Sequence, residues 1–212
     1  MSDTRQRLVD AATRVLAEEG VENASLLEIA QRAEQRNRAA VHYHFGSRTA
    51  LLVAVLEQYA EFLAQREGEL LALAEQRPDS DLASVVEAVV RPAVELAEMG
   101  WRGRCYLVIV AEVVESDPAT MEPEVAAVLA STGGHAVYDL LARRMPPLPE
   151  VLHTERLALL TSFILRSVAD RARSVERGNG RPQLDTPAFT ANLVAMATGM
   201  ASAPVIAPKE PS

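Results

Sequence analysis

Residues 25–48 read SLLEIAQRAEQRNRAAVHYHFGSR, and the folding of this stretch organises the rest of the chain. Leu26, Ile29, Ala30 and Ala33 recur at helical spacing and predict a short helix with one apolar face. Ser25 and Glu28 stand in the S-x-x-E pattern of a capping box, in which side chain and backbone satisfy each other's orphan amides. Glu34, Gln35 and Arg36 read as a turn. Asn37 is a good N-cap for a second helix, which Gly46 ends. Val41 and Phe45 are four apart and point inward. Arg38 and His42, like Ala39 and Tyr43, are four apart on faces that point outward. Between Arg32 and Arg48 lie four arginines and two histidines against a single acid, Glu34. A positive second helix seated on a first is the pattern of a helix that enters a DNA groove.

Working outward, the chain has 212 residues, enough for one large or two small domains. Apolar residues make up 49%, which supplies a sizeable core, and strand-forming residues do not cluster into alternating runs. This composition predicts an all-helical protein. The net charge of −8 argues against nucleic acid only if it is spread evenly. Residues 1–50 balance seven arginines against seven acids, so the acidity belongs to the rest of the chain and a local basic patch survives. The single cysteine, Cys105, sits in an apolar context and reads as a small buried hydrophobe. His135 and His153 have no partners at ligand spacing, so no metal and no cofactor are expected. No signal-peptide pattern opens the sequence, and charges interrupt every apolar run. A cytoplasmic protein without a membrane partner is expected.

A first helix is predicted over 4–19, with Leu8, Ala12, Val15 and Leu16 on one face and Gly20 as its stop. After Gly46, Ser47 caps a long fourth helix expected to run unbroken to residue 75. Further helices are expected over 81–99, 103–115, 122–145, 149–177 and 186–202. Pro92 is expected to kink or split the first of these. Residues 204–212, rich in proline and without periodicity, read as a disordered tail.

The residues Leu8, Ala11-Ala12, Val15-Leu16, Glu19-Gly20, Ser25, Ile29-Ala30, Ala33, Tyr43-His44-Phe45-Gly46-Ser47-Arg48 and Leu51-Leu52 together resemble the TetR family of transcriptional repressors. The resemblance covers about residues 4–60. It implies an N-terminal three-helix helix-turn-helix domain, here residues 1–48, and a C-terminal helical effector-binding and dimerisation domain over 49–203. It also implies double-stranded DNA, a second copy of the chain and an unidentified small-molecule effector as partners, and no catalytic residues. Two departures stand out. The turn Ala33-Glu34-Gln35-Arg36-Asn37 is one residue longer than the family's usual Ala-Gly-Val-Ser and lacks its glycine, so Glu34 must take the turn conformation itself. His42 stands where a phosphate-contacting tyrosine is common.

By that resemblance the DNA-binding candidates are Arg36, Asn37, Arg38, Ala39, Ala40, His42, Tyr43 and Arg48. Arg48 and Tyr43 are assigned to phosphates. Arg38 is assigned to a guanine edge, and Ala39 or Ala40 to a thymine methyl. Large polarizable residues of the second domain are candidates for an effector pocket: Phe62, Met99, Trp101, Tyr106, Met121, Tyr138 and Phe163. The last two long helices carry broad apolar stripes, Leu157, Leu160, Ile164 and Val168 on one, Phe189, Leu193, Met196 and Met200 on the other. These stripes either fill the chain's own core or form a four-helix dimer interface. Three functions stay open: a ligand-released repressor, an activator or ligand-independent regulator, and a small-molecule-binding protein or enzyme with a vestigial reading head. No nucleophile, metalloprotease or phosphate-loop motif supports the enzyme.

Overall fold

The computed structural model describes residues 3–35, 37–115, 120–178 and 183–205. Arg36 and the end of the tail, 206–212, lie outside the described residues. Helices α1 (Asp3–Glu19), α2 (Leu26–Arg32), α3 (Ala39–Phe45) and α4 (Arg48–Leu56) form the N-terminal unit. Leu8, Ala12, Val15, Ile29, Ala30, Val41, Leu51 and Val55 meet in its core.

Local chemistry sets the geometry of this unit. The Ser25 hydroxyl accepts from the Glu28 amide. Glu28, the expected reciprocal partner of the capping box, turns to Arg32 instead, at 2.6 Å. The end of α2 follows the Schellman pattern, with Gln35 N–H bonded to the Ala30 carbonyl at 2.8 Å and Glu34 N–H to Gln31 at 3.0 Å. That motif puts a left-handed residue just past the helix, and Glu34 occupies it with φ of 59°. Arg7 of α1 bonds the Glu34 carboxylate at 2.8 Å and holds this conformation against the helix behind it.

The second unit comprises α5 (Ala60–Glu75), α6 (Leu82–Glu98), α7 (Trp101–Glu115), α8 (Pro123–Ser131), α9 (Gly134–Arg144), α10 (Glu150–Arg177) and α11 (Thr186–Ala201). Helix α6 lies at its centre against α5, α7, α9 and α11, and α7 packs on α10. Three sequence expectations change here. The long fourth helix is broken by a 3-10 turn over Glu57–Tyr59. The Gln58 amide donates to the Val55 carbonyl and to Thr13 of α1, and the Tyr59 ring meets Tyr106 edge-on at 5.1 Å, so tertiary contacts claim the residues at the break.

The single helix expected over 122–145 is two helices bent by 71° at Gly133, whose φ is 91°. A Cβ on Gly133 would sit 3.3 Å from Ala64 Cα, so the bend also needs the bare backbone for its approach to α5. Pro92, in contrast, does not split α6. The missing hydrogen bond and ring clash cost about 3 kcal/mol. Buried Val86, Val90, Val94 and Leu96 each contribute roughly 1.5–3 kcal/mol, and the helix stays whole.

Side-chain bonds and helix packing connect the units. Arg102 of α7 donates twice to Asp10 of α1, at 2.9 and 2.6 Å. The bond from Arg102 holds the Asp10 carboxyl below its ordinary range. Glu112, also on α7, accepts the Val21 amide at 2.7 Å. Helix α4 packs on α8. No single helix among the described residues is long and apolar enough to cross a membrane.

Candidate functional sites

The α3 surface is built by what its inward residues do. Val41 is fully buried and Phe45 is half-buried, with the Arg5 guanidinium 4.9 Å above its ring. Their helical spacing turns Arg38, Ala39, His42 and Tyr43 outward onto one exposed face, with Ala40 half-buried beside it. Tyr43 is 85% exposed, far more than an aromatic ring takes in a core. Asn37 is not the N-cap expected from the sequence: Arg38 holds that position without a side-chain cap bond, and Asn37 Oδ1, one residue earlier, accepts the Ala39 amide at 2.9 Å. His42 Nδ1 lies 3.2 Å from the Gly46 carbonyl and so fixes its ring from below.

The basic patch is thinner than the residue count suggests. Arg32 is held by Glu18 and Glu28, each at 2.6 Å. Arg48 is turned inward. Its guanidinium donates to the Ala24 carbonyl at 2.7 Å and to the Val21 carbonyl, closing the loop between α1 and α2. The Arg38 side chain has no hydrogen bond or ion pair among the described residues, which leaves it available to an outside acceptor. The expectation that Arg48 reaches a phosphate therefore meets a competing role, because the same donors satisfy two backbone carbonyls.

A cavity of about 480 Å³ opens between α5, α6, α7, α8, α9 and α10. Tyr106, Met121 and Tyr138 line it; the other four pocket candidates do not. Phe62 packs half-buried against the core, and Met99 is 53% exposed at the end of α6. Trp101 lies between the guanidinium groups of Arg14 and Arg102, 3.8 and 4.8 Å from its centroid. Phe163 lines a groove between α10 and α11. Residue size selected these four, but the facing direction of each helix decides which side chain reaches a void.

Sequence reasoning missed Glu67. It lines the cavity, and its Oε2 is buried without a hydrogen-bond partner among the described residues. Burial pushes its carboxyl up to about 8. A signal was present: Glu67 is four residues after Leu63 and four before Leu71, so it interrupts an apolar stripe. The Tyr106 hydroxyl is likewise buried and unpartnered among the described residues. Burial raises that phenol well above its ordinary range and pushes Tyr138 up to about 12. Cys105 is buried, and desolvation raises its thiol to about 11, away from reactive thiolate chemistry.

The apolar stripes of the last two helices face inward. Leu160, Ile164, Val168 and Leu193 are at most 3% exposed inside the chain's own core, so they cannot meet a second copy. Leu157, Phe189 and Met200 are half-buried against the same core. Of the eight interface candidates, Met196 is the one on the outer face, 50% exposed. The same helix exposes Ala188, Ala191, Asn192, Ala195 and Gly199, and α10 exposes Leu159 at 58%. Helix α11 carries no charged residue from end to end.

Comparison with known proteins agrees with this architecture. Residues 8–55 match the bacterial regulatory proteins of the tetR family, and residues 87–200 match the tetracyclin repressor-like C-terminal domain. The HTH-type transcriptional regulator SrpR of Pseudomonas putida is 44% identical over 54 residues, 26% of this chain and 25% of that protein. The uncharacterized HTH-type transcriptional regulator TtgW, also of Pseudomonas putida, is 44% identical over 54 residues, 26% of this chain and 40% of that one. The chain thus matches less than half the length of either relative. The crystal structure of AibR in complex with isovaleryl coenzyme A and operator DNA superposes with a TM-score of 0.58 at 15% identity, over 92% of this chain and 97% of that one. At that identity the likeness establishes the fold.

Proposed function

This chain belongs to the tetR family of bacterial regulatory proteins, and from that premise we propose that it is a homodimeric repressor of transcription released from DNA by a small molecule. The observation that carries the reading is the exposed α3 face, where Arg38 and Tyr43 project from a helix fixed by buried Val41. Residues 1–48 act as the reading head and residues 49–203 as the effector-binding and dimerisation domain. Each protomer places α3 in a major groove, and the two reading helices sit about 34–36 Å apart on a pseudo-palindrome. Arg38 reads a guanine edge, Ala39 and Ala40 lie toward bases, and Asn37, His42 and Tyr43 serve backbone or groove.

The dimer forms through the outer faces of α10 and α11. An exposed helix without charge, bearing Met196 and small residues, favours close contact with a copy of itself. Effector binding acts through the helices that wall the cavity. Helix α8 leans on α4, and α7 is tied to α1 by Arg102–Asp10 and to the α1–α2 loop by Glu112. Moving the population from 1:99 to 99:1 takes roughly 10⁴-fold tighter binding to the released state. The isovaleryl coenzyme A bound by AibR sets one alternative for the ligand, an anionic acyl-coenzyme A.

Fluorescence anisotropy with the DNA upstream of the protein's own coding region tests the proposal. A specific, salt-sensitive complex is expected, and Arg38→Ala should cost about 1–3 kcal/mol of discrimination at one base position. Absence of any specific complex, with the dimer intact by light scattering, would reject the reading. Raised transcription of the target in a deletion strain fixes the sign as repression.

A further inference from the structure

We propose that the effector cavity is built for an amphipathic organic cation, an amine or quaternary ammonium on an apolar body, with the Glu67 carboxylate as its counter-ion. This deepens the repressor reading above and rests on it for the word effector. Among the described lining residues there are two carboxylates, Glu67 and Asp139, and neither lysine nor arginine. Asp139 and His135 are at the rim, whereas Glu67 Oε2 is sealed from water. A carboxylate or phosphate ligand meets no fixed cation among these residues.

The immediate surroundings of Glu67 fit a cation for a second reason. Tyr106 of α7 and Tyr138 of α9 line the same cavity, and the negative charge of Glu67 reaches both phenols, raising each. Tyr59 stacks edge-on against Tyr106 and fixes that ring. Two aromatic rings beside an unpaired carboxylate supply both attractions that an alkylammonium can use, charge pairing and the negative faces of the rings. Leu107, Met121 and Leu165 supply the apolar wall for its hydrocarbon part. Met121 adds a polarizable surface that adapts to shape.

Burial holds the acid neutral at physiological pH by raising the carboxyl to about 8. A cation must therefore displace that proton. At neutral pH this costs about tenfold in affinity, one unit of pKa. A ligand with fixed charge then binds more tightly as pH rises through about 8 and levels off above it. Among the described residues, the other titratable groups facing the site are Tyr106 on α7 and His135, Tyr138 and Asp139 on α9. On α5 itself, Arg66 is occupied by Glu95 and Glu69.

Calorimetry on the full chain, without DNA, separates this inference from the repressor reading. The probes are octylammonium, octyltrimethylammonium, 1-octanol and octanoate, which share one apolar tail. Both cations should bind at least tenfold more tightly than the alcohol, and octanoate more weakly than the alcohol. Glu67→Gln keeps the shape of the side chain. It should bring the cations to the level of the alcohol, leave the alcohol unchanged and flatten the pH dependence of octyltrimethylammonium. Equal binding of cation and alcohol by the native chain, or tighter binding of octanoate, overturns the proposal without needing the variant. Cation binding that follows Glu67 but leaves operator DNA bound would retain the ligand class and reject the released-repressor reading.

Discussion

The reading face and the cavity are made in opposite ways. On α3, buried Val41 is matched within a few residues by exposed Arg38, Ala39, His42 and Tyr43, and the partner lies outside the chain. The cavity gathers Glu67, Tyr106, Met121, Tyr138 and Leu165 from distant parts of the chain, with nearly a hundred residues between the first and the last. A surface that meets a partner outside the chain is specified by local periodicity. A void is specified by the residues that fail to fill it, and these are set by how distant helices pack. The first can be changed without disturbing the fold. The second shares its walls with the core.

The largest effect expected to sharpen this contrast is Gly103→Ala. A Cβ there would lie 2.0 Å from the Leu96 carbonyl oxygen, so α6 and α7 must separate. A loss of about 3 kcal/mol is expected, read as a lower denaturation midpoint with an unchanged slope. Loss of operator binding should then track loss of fold. An undisturbed midpoint would show that the α6–α7 contact yields, and with it the cavity wall.

Arg48→Ala tests whether a residue of the reading head is structural. Leaving the Ala24 and Val21 carbonyls without their charged donor should cost about 2 kcal/mol. The dependence of DNA affinity on salt should keep its slope. A slope reduced by about one unit, with unchanged stability, would return Arg48 to the phosphates.

Glu34→Gly is the smallest change. It relieves a left-handed residue with φ of 59° and removes an exposed pair with Arg7. A gain of about 1 kcal/mol is expected in thermal or denaturant unfolding, because surface pairs contribute less than the backbone relief. A loss would mean that the pair to α1 outweighs the conformation, and that the longer turn depends on Arg7.

The legible part of the protein follows the same division. The positive φ of Glu34 could be read from the missing glycine, and the caps at Ser25 and Ser47 from residue type and spacing, whereas Asn37 stands one residue before the cap position of α3, which Arg38 holds. The break at Gly133 was signalled by the Gly133-Gly134 pair, but apolar periodicity on both sides masked it. The break at Glu57–Tyr59 has no glycine or proline to announce it. Contacts of Gln58 with Thr13 and of Tyr59 with Tyr106 decide it. Arg48 illustrates a different limit: its charge was plain, but the carbonyls that use it come from residues more than twenty positions away.

By itself the sequence determined the helical class, the reading helix and its outward residues, because helix periodicity acts within a few residues. Tertiary structure decided which apolar stripe fills the core and which outer face stays exposed. It also decided that Phe62, Met99, Trp101 and Phe163 stay out of the cavity while Glu67 enters it. Those outcomes depend on the rotation of each helix about its axis. That rotation is set by the summed packing of all its neighbours, and local periodicity carries only part of it.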